Sequence, residues 1–228
     1  MRISFAVAGL LLLAGAARAD TSSVWRFDHL DQIGGVAAHA EGAPKIIATG
    51  AGPAIAFDGV KDALFIDKHP LAGLKTFTFE AVFRPDGGVF EQRWFHLAET
   101  DPKTGLDTGT RFLFEIRVVD GRWYLDAFTA GDGYNTKIII TDKTFPIGPW
   151  YRVAMTYDGT TFRSYVNGVL QGEVPLVFKP QGEGHSSVGT RINRVNYFHG
   201  AVYEARFTPS ALKPEDFLPL PAGLATAP

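Results

Sequence analysis

Several short stretches of the sequence combine an aromatic side chain with planar polar side chains, and this combination is suited to binding sugars. A sugar presents apolar C–H faces and many hydroxyl groups, so its site needs an exposed ring beside amide, carboxylate, imidazole or guanidinium groups. The stretches EQRWFH, GDGYN and RINRVNYFHG supply such pairs, and FEIRV adds an outward-facing arginine. The ligand-binding residues predicted from these stretches are Gln92, Trp94, His96, Arg117, Tyr134, Asn135, Asn196 and Tyr197.

Three carboxylates from distant parts of the sequence could hold a calcium ion. Calcium takes several oxygen ligands at close range, typically carboxylates and carbonyls. Asp28, Asp58 and Glu204 would converge if the first, second and last strands lay together at one edge. A structural calcium site is therefore one hypothesis for these residues, and the alternative for Asp58 is a simple turn former in Phe-Asp-Gly.

The overall composition argues against several other classes of protein. The formal net charge is −2 and Lys and Arg form no run, so the basic surface of a nucleic-acid-binding protein is missing. Zinc-ligand spacings and a phosphate-binding glycine loop are also absent, and no cofactor is required. With no cysteine, the fold must be held by a hydrophobic core, and 46% apolar residues including 18 Phe can supply one.

The elements that must position these side chains are short strands. Strand-like runs recur between turn signals along the chain, with almost no helical periodicity. Two runs alternate cleanly: TFTFEAVFR places Phe77, Phe79, Ala81 and Phe83 on one face, and RFLFEIRV does the same with Phe112, Phe114, Ile116 and Val118. In WYRVAMTYDGTTFRSYVNGVL, Asp158-Gly159 and Asn167-Gly168 predict two tight turns joining three strands. The predicted fold is an all-β, two-sheet antiparallel sandwich.

The ends of the chain differ in composition from its middle. The start, MRISFAVAGLLLLAGAARAD, has a basic residue, an apolar run and the pattern Ala17-Arg18-Ala19, as in a secretory signal peptide cleaved after Ala19. The predicted organisation is a signal peptide over 1–19, one β domain over 20–218 and a loosely packed Pro- and Ala-rich tail over 219–228. The mature protein is expected to be secreted or periplasmic.

Three motifs, taken in order, resemble the laminin-G-like jelly rolls of the concanavalin A-like lectin/glucanase superfamily. They are IAFDGVKDALFID continuing into FTFEAVFRP, then WYRVAMTYDG followed by YVNGVL, and finally FHGAVYEARFTPSALKPEDF. In the last motif Tyr203 stands where the family usually has an Asp, and Glu204 stands at its Glu. The resemblance implies a two-sheet jelly roll that binds carbohydrate or protein through its curved inner sheet and rim loops, in some members with a structural calcium.

The sequence contains only incomplete matches to the motifs of two classes of enzyme. Retaining glucanases of this superfamily need two carboxylates facing one glycosidic bond, and FEIRV has Arg117 where the second acid would be. FEIR and YFHGAVYEA also loosely resemble motifs of jelly-roll alginate lyases. On that resemblance Arg117 would neutralise a uronate carboxylate, and Tyr197 or Tyr203 would transfer protons. The expected Gln-X-His element has no match, and His199 replaces an expected Lys.

The function predicted from the sequence is non-catalytic binding of a polysaccharide or glycan. It rests on the jelly-roll pattern, the export signal and the aromatic and polar residues named above, since no catalytic set is complete. A polysaccharide lyase acting on a polyuronate such as alginate is one alternative. An envelope protein–protein interaction module is the other, and a large apolar patch would favour it.

Overall fold

A computed structural model describes residues 21–224, so the predicted signal peptide and the last four residues lie outside the described part. Within it, no helix is long and apolar enough to cross a membrane. The strands are β1 (Ser23–Arg26), β2 (Gln32–Ile33), β3 (Val36–Glu41), β4 (Lys45–Thr49), β5 (Gly52–Asp58), β6 (Ala63–Ile66), β7 (Phe77–Pro85), β8 (Glu91–Thr100), β9 (Asp107–Val119), β10 (Arg122–Gly131), β11 (Tyr134–Ile139), β12 (Phe145–Pro146), β13 (Tyr151–Tyr157), β14 (Thr161–Val166), β15 (Val169–Pro175), β16 (Gly184–Val188) and β17 (His199–Thr208). One 3₁₀ turn spans Pro214–Asp216.

The strands form two antiparallel sheets packed face to face, which confirms the predicted sandwich. The back sheet has eight strands in the order β15-β14-β13-β7-β17-β5-β4, with β1 paired to β17. The front sheet has nine strands in the order β11-β10-β9-β8-β16-β6-β3-β2, with β12 paired to β10. Strands adjacent in space are often distant in sequence, as in a jelly roll.

The core between the sheets is built from the predicted alternating faces. Phe77, Phe79 and Phe83 of β7 point inward from the back sheet, and Phe112 and Phe114 of β9 point inward from the front sheet. Their rings pack in edge-on and stacked pairs across the interface, such as Phe77 with Phe112 at 4.9 Å between centroids. Alternation with a period of two thus identified the inward face of both strands.

The predicted three-strand meander is present as β13, β14 and β15, but its two turns differ. Asn167 and Gly168 have φ of 51° and 80°, the pair of positive values that a tight hairpin of this kind requires. In the other turn only Gly159 has a positive φ, of 103°. Asp158 instead accepts hydrogen bonds from the backbone N–H groups of Thr160 and Thr161, each at 2.9 Å. The sequence prediction of two like turns is therefore correct for the second turn alone.

The outer face of the back sheet is covered by the segment that follows β17. Phe217 packs on Tyr165, and Leu220 and Leu224 belong to a cluster with Trp150 and Tyr203. The prediction of a loosely packed tail from residue 219 is thus corrected as far as Leu224, which is 3% exposed. The physical reason is that the back sheet presents apolar side chains outward, and burying them is favourable.

Buried polar contacts fix this covering segment in place. The Leu218 N–H donates to Glu80 Oε1 at 2.6 Å, and the Arg152 guanidinium donates to the Leu218 carbonyl at 3.0 Å. Arg206 pairs with the other oxygen of Glu80 at 2.6 Å. The back face is therefore closed, and the front face is the sheet surface that remains open.

Candidate functional site

The open outer face of the front sheet carries one row of side chains in register across several strands. Opposite residues of antiparallel strands lie on the same face. The pairings His39 to Phe65, Phe65 to Ser187, Ser187 to His96, His96 to Leu113, Leu113 to Phe128 and Phe128 to Lys137 therefore define a continuous line. A loop over residues 190–196 lies across the middle of this line, and its Ile192 N–H donates to His96 Nδ1 at 2.9 Å.

Recesses on both sides of this loop form what we call the front groove. It contains a Phe65 recess, lined also by His39, Asp67, His185 and Arg194, and an arginine recess, lined by His96, Asp107, Arg111 and Arg191. The front groove also includes a charged recess lined by Arg93, Glu115, Arg117, Asp126 and Lys137, and an edge recess that contains Asn135. Ile192 lines both the Phe65 recess and the arginine recess, and Arg111 lines the arginine, charged and edge recesses, so each recess adjoins another.

The Phe65 recess has about 430 Å³ of space, within the range of ordinary ligand sites. The Phe65 ring is half-buried, and the Arg194 guanidinium lies over it at 4.4 Å from the centroid. Two hydrogen bonds to Glu41 hold Arg194 in this position and raise its pKa. His185 pairs with Asp67 at 2.6 Å on the opposite side. The recess thus combines an aromatic surface with planar polar groups.

A β-bulge in β8 orients His96 toward the arginine recess. Arg93 is opposite Glu115 and Phe95 is opposite Phe114, so Trp94 is an extra residue between them. As a result both Trp94 and Phe95 point into the core, and His96 returns to the outer face. Without the bulge, Gln92, Trp94 and His96 would share one face, as the alternation in EQRWFH indicates.

The arginine recess is small, with about 70 Å³ of space, and it is rich in unused hydrogen-bond donors. His96 is 1% exposed, and burial together with the nearby Arg191 and Arg111 lowers its pKa well below 6.5. Its ring is therefore neutral, and because Nδ1 accepts from Ile192, the proton is on Nε2. Nε2 of His96 and Nε of Arg111 and of Arg191 are buried without a hydrogen-bond partner among residues 21–224.

The charged recess holds a ladder of ion pairs. Arg93 pairs with Glu91 and with Glu115 at 3.1 Å, and Arg117 pairs with Glu115 at 3.0 Å and with Asp126 at 2.7 Å. Burial, followed by the charge of Glu115, raises the pKa of Asp126 from 3.8 to about 7, although Arg117 opposes the change. Arg93 and Arg117 thus already form ion pairs with neighbouring carboxylates.

Gln92 and Trp94, two of the predicted ligand-binding residues, lie inside the sandwich. The expectation that Trp94 is exposed is wrong: its ring is stacked between Phe83 at 4.3 Å and Phe114 at 5.4 Å. Gln92 is also fully buried, and its amide donates to the carbonyls of Gly87 and Val89 and accepts from the His199 N–H. Gln92 therefore fixes the conformation of the loop that joins β7 to β8.

Tyr134 is likewise buried, contrary to the prediction of an exposed loop ring. It is 8% exposed and packs against Phe178 at 5.3 Å. Its hydroxyl accepts a hydrogen bond from Gln181 at 3.0 Å, in a network that reaches His69. The ring lies directly over Gly131, where a Cβ would be only 2.4 Å from it. Gly131 therefore makes room for the buried ring.

The remaining predicted ligand-binding residues lie on or beside the front face. His96 and Arg117 line the groove, and Asn135 is exposed at its edge. Asn196 accepts a hydrogen bond from Arg93 at 2.9 Å, and Tyr197 is half-exposed beside it in the chain. Phe65, His39 and His185 were missed by sequence reasoning, although the alternation in ALFID places Phe65 opposite the inward Leu64 and Ile66.

The three carboxylates proposed for calcium serve other roles. Asp58 Oδ1 accepts from the N–H groups of Val60, Lys61 and Asp62, as a turn former does. Glu204 pairs with Arg26 at 2.8 Å, and Asp28 bonds to the adjacent His29. No group of three or more His, Cys, Asp or Glu side chains within 21–224 is arranged to hold a metal ion. These residues do not fit the calcium hypothesis.

The residues of the lyase alternative do not all lie together. Arg117 lies on the outer face of the front sheet, where it forms an ion pair with Glu115 and donates a hydrogen bond to Asp126. Tyr203 lies on the outer face of the back sheet, buried beneath the covering segment, and its hydroxyl donates to the Ala51 carbonyl at 2.9 Å. The two side chains therefore lie on opposite sides of the sandwich, and of the two tyrosines only Tyr197 is on an exposed loop.

The fold agrees with the family that the sequence matches. A laminin G-type family model matches residues 58–216, well over half of the chain, so the chain belongs to the concanavalin A-like lectin/glucanases superfamily. No curated protein sequence matches the chain.

Solved structures extend this likeness at the level of the fold. Domain 4 of an extracellular GH43 arabinanase from Geobacillus stearothermophilus, solved in complex with arabinotriose, has a TM-score of 0.61 at 18% identity, covering 85% of this chain and 94% of that one. The binding domain of Paraclostridial Mosquitocidal Protein 1 has a TM-score of 0.62 at 13% identity, covering 86% of this chain and 51% of that one, so this chain spans about half its length. A heptameric pentraxin from Limulus polyphemus has a TM-score of 0.53 at 18% identity, covering 71% and 77%.

Proposed function

We propose that this protein binds a polysaccharide or glycan in the front groove without cleaving it. The observation that carries the proposal is the contrast between the two outer faces. The back face is closed by the segment up to Leu224, whereas the front face is open and joins the Phe65 ring to imidazole and guanidinium groups. An apolar surface beside planar donors and acceptors suits a sugar ring and its hydroxyls.

The neighbouring folds support a binding role. One of them, the arabinanase domain, was solved with an arabinose trisaccharide, and another is the binding domain of a toxin. We further propose that the chain acts outside the cytoplasm after cleavage behind Ala19, as its first residues indicate. A carbohydrate of the cell envelope or surroundings would then be within its reach.

The two alternatives receive less support. A lyase would need a free arginine beside its catalytic tyrosine, and Arg117 is instead paired with Glu115 and Asp126. Tyr203 lies on the opposite face, so of the two tyrosines only Tyr197 is on the side of Arg117. A protein-binding module would favour one contiguous apolar patch. The large exposed apolar side chains are instead spread along the sequence, for example Val60, Leu106 and Val177, and the longest exposed runs are the pairs Val89-Phe90 and Val169-Leu170.

A glycan array probed with the mature protein, with and without a chelator, tests the proposal. Phe65→Ala is expected to weaken binding to the glycan that the array identifies by tenfold or more, because it removes the aromatic surface. Tyr124→Ala is the matched control: Tyr124 is a half-buried aromatic on the same sheet that lines none of the four recesses. Equal losses in both variants, or no binding to any glycan on a broad array, would contradict the proposal.

A further inference from the structure

The arginine recess is lined by two arginines that form no ion pair within residues 21–224. Arg111 and Arg191 both line it, and neither takes part in any of the ion pairs that the other arginines make within residues 21–224. Burial, followed by the charges of Arg191 and Arg93, lowers the pKa of Arg111, although Glu115 opposes the change. Asp107 is the one carboxylate that lines the recess, and it lies farther than ion-pair distance from both guanidinium groups.

The same recess contains three buried donors without an acceptor. A buried donor left unsatisfied costs about 1–3 kcal/mol, so native proteins seldom retain one without a reason. Here Nε2–H of His96, Nε–H of Arg111 and Nε–H of Arg191 are all unsatisfied, and their residues share one recess. Since a neutral Nε2–H and two guanidinium groups donate and do not accept, the missing partner must be an acceptor.

The positions of two of these donors, on His96 and Arg111, are fixed before any ligand arrives. Ile192 holds the His96 ring through Nδ1, and His96 itself is 1% exposed. The Arg111 guanidinium lies over the Phe128 ring at 4.7 Å and donates to the Gly109 carbonyl at 2.6 Å. Arg191 is at the start of the loop that crosses the sheet, where its backbone bonds to Val195 and Arg194. A preorganised site of this kind binds with little ordering cost.

We propose that His96, Arg111 and Arg191 form an oxyanion subsite of the front groove, which takes the carboxylate or sulfate group of an acidic glycan. This inference rests on the proposed glycan-binding function and specifies its ligand class. Guanidinium groups suit the planar geometry of a carboxylate and also bind the oxygens of a sulfate. The small recess accommodates the charged group, and the contiguous Phe65 recess accommodates a neighbouring sugar ring.

The subsite itself is tested with acetate and inorganic sulfate at constant ionic strength, with chloride as the reference salt. The readout is the NMR signal of His96 Nε2–H, which an accepted hydrogen bond shifts. Both oxyanions are expected to shift it in a saturable way, and Arg111→Gln is expected to weaken this binding at least tenfold. Arg122→Gln is the matched control, because Arg122 is an exposed arginine of the same sheet that bonds to Thr144. If neither oxyanion shifts the signal, the subsite does not exist.

The glycan class is tested with three oligosaccharides: oligogalacturonate, a sulfated galactan and a neutral galactan. The two acidic ligands are expected to bind at least tenfold more tightly than the neutral one, and Arg111→Gln should remove this preference. Tighter binding of oligogalacturonate would assign the group as a carboxylate, and tighter binding of the sulfated galactan as a sulfate. Equal binding of all three would overturn the inference but leave glycan binding intact. If acetate or sulfate binds but none of the three oligosaccharides does, the assignment of an acidic glycan is overturned. The glycan array then tests the proposed glycan-binding function separately.

Discussion

Replacing Asp126 with Asn is expected to make the stability of the protein less dependent on pH. Asp126 is 2% exposed, and only one of its two oxygens has a partner, since Oδ2 accepts from Arg117 at 2.7 Å and Oδ1 bonds to no described residue. Burial and the charge of Glu115 raise its pKa from 3.8 to about 7. The folded protein therefore holds a proton on Asp126 over a pH range in which the unfolded chain has released it.

The sign and size of the effect follow from proton linkage. Below pH 3.8 both states carry the proton, and the contribution of Asp126 to stability is complete. As pH rises from 3.8 toward 7 the folded state binds more protons than the unfolded state, so the free energy of unfolding falls. The slope is about 1.4 kcal/mol per pH unit, so that about 2–3 kcal/mol is lost between pH 5 and pH 7.

Denaturant unfolding at several pH values measures this change, and the four buried tryptophans provide the fluorescence signal. Near pH 5, Asp126→Asn should resemble the wild type, because the amide replaces a protonated carboxyl and Arg117 keeps Glu115 as a partner at 3.0 Å. By pH 7 it should be more stable than the wild type by about 2–3 kcal/mol. Glu80 and Glu204, whose pKa values are also raised by burial, titrate in both proteins and cancel in the difference.

The control for this experiment is Asp142→Asn, which changes an exposed turn carboxylate. It should follow the wild type at every pH. A difference between wild type and Asp126→Asn that stays constant from pH 5 to pH 8 would refute the reasoning.

Three further predictions concern the core, the covering segment and the mature start. Trp94→Ala should lower the free energy of unfolding by about 3–5 kcal/mol in denaturant titrations, whereas Tyr197→Ala should change it by less than about 0.5 kcal/mol, since the first ring is buried and the second is half-exposed. A chain truncated after Thr208 should bind a hydrophobic dye or aggregate, because it uncovers Trp150 and the rest of its cluster; a soluble, cooperatively unfolding truncation product would contradict this. Mass spectrometry of exported protein should show a chain that begins at Asp20, and an intact Met1 would be the opposite result.

The strands and the second hairpin could be predicted from sequence because their signals are local. In FTFEAVF every second residue is apolar, and three of these four residues are aromatic, so this alternation is sufficient to assign an inward face. Asn167-Gly168 likewise specifies its own turn, since both residues accept a positive φ. Each signal lies within a few residues of the feature that it predicts.

The candidate site depended on information that is not local. The alternation in EQRWFH placed Gln92, Trp94 and His96 on one face, and one extra residue in the pairing with β9 separates them. That bulge follows from the register between two strands, and β8 alone does not specify it. Tyr134 was misplaced for a related reason, because its partner Gln181 is supplied by a loop remote in sequence.

The two outer faces of the sandwich show why similar strands have different functional potential. TFTFEAVFR and RFLFEIRV each direct one glutamate outward, and each glutamate pairs with an arginine. Glu80 is buried beneath the covering segment, where the Leu218 N–H donates a hydrogen bond to its other oxygen. Glu115 instead lines an open recess, where it forms ion pairs with both Arg93 and Arg117. Because those two arginines form ion pairs within the protein, Arg111 and Arg191 are the arginines of the groove whose buried Nε–H groups have no partner within residues 21–224, and the proposed recognition of an acidic ligand depends on them.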